Sequence, residues 1–243
     1  MQLIPIRTPC TLVILFLCIF FFLLNAQEAA SLQTSLTAVE SWLLFDIPSF
    51  SKGHFAFWQG ISSWLFLKVT TGSGALAEGP LFMKIREGEV WRLFSPALLH
   101  RDFLHILFNM LWLWMFSRPM EERMGSLKMI VFVLTVGVAS NIAQYLMAGP
   151  LFLGYSGVVM GMAGFIWSRI KMAPWEGYAI PLTTLYFLGL FVVAMTFLQG
   201  VSLFLKLFTS FQGGPHIANT AHIVGAVVGI ALGRSSWFMR RPQ

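Results

Sequence analysis

Four side chains in this sequence have the types and spacing to do chemistry together: Ser156, His222, His105 and Asn109. Ser156 lies in the run Gly154, Tyr155, Ser156, Gly157, and an apolar stretch follows it to Trp167 before Arg169. Ser156 stands 13 residues before Arg169, His222 stands 12 before Arg234, and His105 and Asn109 stand 13 and 9 before Arg118. At ~1.5 Å of helix rise per residue these separations are about 20, 18, 20 and 14 Å. If the three arginines mark one face of a hydrocarbon core ~30 Å thick, all four side chains share a depth near the opposite face. Ser156 then begins its helix about 10 Å below that face, where irregular backbone is tolerated only inside protein or beside water.

A serine and a histidine at one depth can act as nucleophile and base. The imidazole takes the hydroxyl proton and later gives it to a leaving amine. Asn109 and His105, four apart on one helix face, can donate to the oxyanion of a tetrahedral intermediate together with the Ser156 N–H. A blander assignment fits each residue alone. Ser156 is also a good N-cap for a hydrophobic helix, and a single histidine in a span is as often a packing residue as a base. The only aspartates are Asp46 and Asp102, and no Asp or Glu falls within the apolar runs, so a two-aspartate protease is excluded. No HExxH occurs, so a zinc hydrolase lacks its ligands and base. With no acid to orient His222, the expected unit is a dyad without metal or cofactor.

The elements that must carry these residues are membrane helices. Of 243 residues, 57 % are hydrophobic and 11 % charged, against roughly 25 % charged in a soluble domain. Mean hydropathy is +0.74. The charge balance of +6 is ordinary where Lys and Arg gather on cytoplasmic loops. No basic stripe suits nucleic acid. Cys10 and Cys18 both fall in the first apolar segment and suggest neither a disulfide nor a zinc site.

The hydropathy pattern predicts six spans: 10–24, 103–117, 127–147, a fourth from Ser156, a fifth within 178–205, and 217–233. The first follows Arg7, and a signal peptide competes with a retained span there. The connection 26–102 is read as partly embedded, because its aromatic stretches at 42–48 and 55–69 are interrupted by polar residues. Basic residues cluster after spans two, four and six, which puts both termini in the cytoplasm. Gly157, Gly161 and Gly164 on span four match Ala218, Gly225, Gly229 and Gly233 on span six. Small residues so spaced let two backbones approach closely. Span six should therefore pack on span four and bring His222 to Ser156.

Taken in order, these residues resemble a rhomboid intramembrane serine protease over most of the chain. The likeness rests on Trp91 and Arg92, on His100, His105 and Asn109, and on Glu121 and Arg123 before Gly125. It continues through Gly154, Tyr155, Ser156, Gly157 and Gly161 to Ala221, His222, Gly225 and Gly229. It implies an all-α polytopic membrane protein with a six-helix rhomboid-like bundle. It makes Ser156 the nucleophile and His222 the base, with His105, Asn109 and Gly154 lining the oxyanion and substrate side. The implied substrates are single-span membrane proteins, cut within or near the bilayer, and the alternative is an inactive relative that binds membrane clients. The expected organisation is a cytoplasmic 1–9, a membrane domain over 10–238 and a cytoplasmic tail 239–243. The expected location is a bacterial plasma membrane, with the site open to the extracytoplasmic side. Two features depart from the family pattern. Met160 stands where many members carry an aromatic four residues after the nucleophile, and the connection before Trp91 is long.

Overall fold

The structure of the chain is a computed structural model that describes residues 8–29, 37–45, 81–209 and 218–238. Among the described residues it is helical throughout, with no strand. The helices are α1 (Pro9–Ala29), α2 (Ala38–Leu43), α3 (Met83–Arg86) and α4 (Phe103–Met124). They continue with α5 (Ser126–Ala148), α6 (Ser156–Met172), α7 (Leu182–Phe208) and α8 (Asn219–Arg234). Tight 3-10 turns occupy Val90–Leu93, Ser95–Leu98, Pro174–Glu176 and Ser236–Phe238.

Among the described residues, three stretches are long and apolar enough to cross a membrane: Pro9–Ala26, Ser126–Ala148 and Leu182–Leu205. The helices bearing Ser156 and His222 are shorter, at 17 and 16 residues, or about 26 and 24 Å. Both fall short of the ~30 Å of a hydrocarbon core.

Helix α6 is the axis of the bundle. Its residues from Gly157 to Ile166 are all buried, and its apolar side chains join a core supplied by α1, α4, α5 and α7. The most extensive helix contact among the described residues is between α6 and α8. A Cβ on Gly225 would overlap the Gly157 carbonyl, and one on Gly229 would overlap the Gly161 carbonyl. A Cβ on Gly164 would meet the Ala226 carbonyl. The two backbones touch directly, as the matched small residues predict.

Three boundaries differ from the hydropathy reading. Helix α4 does not stop near Arg118 but runs through Pro119 to Met124. That extension buries Glu121, which is 1 % exposed. Its carboxylate accepts from the Cys10 and Thr11 N–H groups at 2.8 Å each, from Thr11 Oγ1 at 2.6 Å and from Ser126 Oγ at 2.6 Å. Glu121 thus caps the first turn of α1, whose N–H groups have no partner within their own helix and carry the positive end of its dipole. Arg169 does not end its helix, because α6 continues to Met172. It is fully buried, because the turn at Pro174–Glu176 folds the Glu176 carboxylate back onto its guanidinium. Its third contact is donation to the Gly233 carbonyl at 3.1 Å, at the C-terminal end of α8. Finally, α1 continues five residues past 24 to Ala29.

The connection before α4 braces one end of the bundle. Thr37 and Glu40 form a capping box at the start of α2, and Thr37 Oγ1 donates to Asn25 Oδ1 on α1. At the other end of α2, Arg92 donates to the Leu44 and Ser41 carbonyls at 2.7 and 3.0 Å, and Ser95 Oγ donates to the Leu43 carbonyl at 2.6 Å. Trp91 Nε1 donates to the Trp42 carbonyl. The aromatic stretch 55–69 and the tail 239–243 lie outside the described residues.

Candidate active site

Ser156 is the first residue of α6, and the strand of backbone that reaches it is fixed from outside. Gly154 donates its N–H to the Pro96 carbonyl at 3.0 Å, which ties this approach to the braced turn at Ser95–Leu98. Gly154 has φ +122°, a conformation that only glycine adopts without strain. A Cβ there would sit 2.7 Å from His105 Cε1 and Nε2. The absence of a side chain at Gly154 therefore lets the imidazole of His105 come down beside the serine.

Ser156 Oγ and His222 Nε2 are 2.7 Å apart. Ser156 is half-buried, while His222 is 6 % exposed. His222 sits one turn into α8. Just ahead of it the Ala221 N–H donates to Gln144 Oε1 of α5 at 3.1 Å. A side chain thus takes one of the N–H groups that a helix start leaves without a partner.

His105 lies one turn into α4, where Asp102 caps the helix by accepting the His105 N–H at 2.9 Å. The Arg101 N–H approaches His105 Nδ1 at 3.4 Å. Nδ1 is then the acceptor and Nε2, on the Gly154 side, carries the proton. Asn109 is buried, and its Nδ2 donates to the His105 carbonyl at 2.8 Å. That contact uses one of its two amide protons and leaves the second.

The structure therefore brings Ser156 and His222 together, sets Gly154 against both His105 and Ser156, and hangs Asn109 one turn further along the same helix. His100 adds a contact that sequence spacing did not assign. It is 1 % exposed and packs edge-on against the His105 ring, with centroids 5.2 Å apart. Met160, one turn below the serine, is buried in the core. No group of three or more His, Cys, Asp or Glu side chains among the described residues could hold a metal ion.

The Ser156 hydroxyl is thus hydrogen-bonded to the His222 imidazole at the start of a buried helix, beside further hydrogen-bond donors, within an apolar bundle. The model of the rhomboid domain family matches residues 87–237, more than half of the chain, and the chain belongs to that family. Membership makes it an integral membrane protein and either an intramembrane protease or an inactive homologue of one.

Proposed function

We infer that the chain is an active intramembrane serine endopeptidase that cleaves transmembrane helices with a Ser156–His222 dyad. The 2.7 Å separation of Ser156 Oγ from His222 Nε2 is the observation that carries this reading. His222 accepts the hydroxyl proton as Oγ attacks the scissile carbonyl, then returns it to the leaving amine. The developing oxyanion is met by the Ser156 N–H, His105 Nε2–H and the second amide proton of Asn109, aided by the positive end of α6. Substrates are single-span membrane proteins whose helix unwinds locally, because a helical carbonyl is already hydrogen-bonded.

The membrane domain extends over 10–238, with α1, α4, α5, α6, α7 and α8 as its six spans and both termini cytoplasmic. The basic residues after α4, α6 and α8 support that orientation. The site opens to the extracytoplasmic side, with a bacterial plasma membrane as the proposed location.

Purified wild type, Ser156→Ala and His222→Ala are incubated with a reporter transmembrane substrate. Cleavage by wild type and its loss in both variants is expected. A fluorophosphonate or isocoumarin should label Ser156 in wild type and leave His222→Ala unmodified. Equal turnover by all three proteins, or a folded wild type that takes up no label, rejects the proposal in favour of a client-binding homologue.

A further inference from the structure

Two polar atoms left over beside the Ser156–His222 pair are complementary. His222 Nδ1 and Asn219 Oδ1 are both buried, and neither has a hydrogen-bond partner among the described residues. Asn219 and His222 are three residues apart on α8, so they share a face with Cβ atoms about 5–6 Å apart. When Nε2 accepts the Ser156 hydroxyl proton, the proton of the neutral ring must sit on Nδ1, which is then a donor. Asn219 offers the matching acceptor. Its amide is oriented by Gln199 of α7, whose Oε1 takes the Asn219 Nδ2 proton at 2.8 Å and leaves Oδ1 as the free end.

We propose that Asn219 is the positioning residue for His222, accepting the Nδ1 proton on its Oδ1 through one bridging water. This rests on the reading of Ser156 and His222 as nucleophile and base. A single water satisfies both atoms at once, which is how buried polar groups too far apart for direct contact are commonly completed. The bridge fixes the tautomer in which Nε2 is free to take the Ser156 proton. Once that proton has moved, the ring is an imidazolium and the Nδ1–H bond becomes charge-assisted and stronger. An interaction that strengthens as the tetrahedral intermediate forms raises kcat and leaves substrate binding alone. A neutral amide achieves this without placing an unpaired charge in the bundle.

The full chain in liposomes, with a reporter transmembrane substrate, gives kcat, KM and Tm for wild type, Ser156→Ala, Asn219→Ala, Asn219→Asp and Gln199→Leu. In Asn219→Ala, kcat should fall about tenfold with KM and Tm near wild type. Asn219→Asp keeps an acceptor and should return to within about threefold of wild type. Gln199→Leu, at an exposed position, frees the Asn219 amide to turn and should lower kcat about two- to threefold at unchanged KM. A wild-type kcat in folded Asn219→Ala overturns the proposal, as does an Asn219→Asp as slow as the alanine variant. If Asn219→Ala does not fold, Gln199→Leu decides: reduced kcat at wild-type KM supports the bridge, and wild-type kcat removes it. Cleavage by Ser156→Ala in the same panel overturns the protease reading itself. An inactive Ser156→Ala beside a fully active Asn219→Ala removes only the role of Asn219.

Discussion

Gly154 shows how much one missing side chain decides. Its position beside both His105 and Ser156 leaves no room for a Cβ, and its φ of +122° belongs to glycine. Gly154→Ala should therefore push the His105 ring off the serine and remove an oxyanion donor. A kcat loss of about 10²-fold with KM little changed is expected, in line with the loss of a single such donor elsewhere. His105→Ala should match it, and a kinetic comparison of the two with the double variant tests whether they act through one contact. If the losses multiply, Gly154 and His105 act independently. Of this residue-scale picture, Ser156, His222, His105 and Asn109 were legible from type and spacing alone. His100 entered only through the family resemblance, and Asn219 was not legible at all. Which of their atoms remain unpartnered after folding is something no spacing rule reports.

At the scale of elements, the contact of α6 with α8 was readable because glycines recurring every four residues have a physical meaning in lipid. Gly229→Val should force the two backbones apart. Overpacking of this kind costs about 1–3 kcal/mol, so Tm should drop well below wild type and cleavage should be lost with it. Gly189→Ala is the control. Gly189 on α7 has nothing within 4 Å of a built Cβ, and replacing a mid-helix glycine by alanine should hold or raise Tm by favouring the helix. A Gly229→Val protein as stable as wild type would show that the close approach is not needed. The helix ends were less legible. Arg118 and Arg169 look like membrane-face residues in sequence. Both helices run on past these arginines, to Met124 and Met172, and Arg169 is sealed by Glu176, because a charge with a folded-back partner need not reach water. The capping of α1 by Glu121, 110 residues away from Thr11, has no local signature at all.

On the scale of the whole molecule, the brace before α4 links regions that the helices alone would leave independent. It runs from Asn25 of α1 through Thr37 and α2 to Arg92 and Ser95, then through Pro96 to Gly154. Thr37→Ala removes a cap typically worth about 1 kcal/mol, so a lowered Tm with a modestly lowered kcat is expected. An unchanged Tm would mean α2 is held without it. His100, at the end of this brace, gives the fold a pH dependence. Burial, and secondarily the neighbouring His105, push its imidazole down to about 3, whereas an unfolded histidine titrates near ~6.5. Below about pH 6.5 the unfolded chain gains a proton that the folded chain refuses, so stability should fall as pH drops from there towards 3. Tm measured between about pH 7 and 4 should decline, and His100→Gln should flatten that decline. An identical slope in both proteins would assign the effect to other groups.

The direct meeting of α6 and α8, main chain against main chain, has one more consequence. Where Gly225 and Gly229 meet the main chain of α6 there is no side chain to exchange for a longer or shorter one, so the gap from Ser156 Oγ to His222 Nε2 is set by two rods already at their closest distance. A larger residue at Gly225 or Gly229 has to move a whole helix, and with it the Ser156–His222 separation.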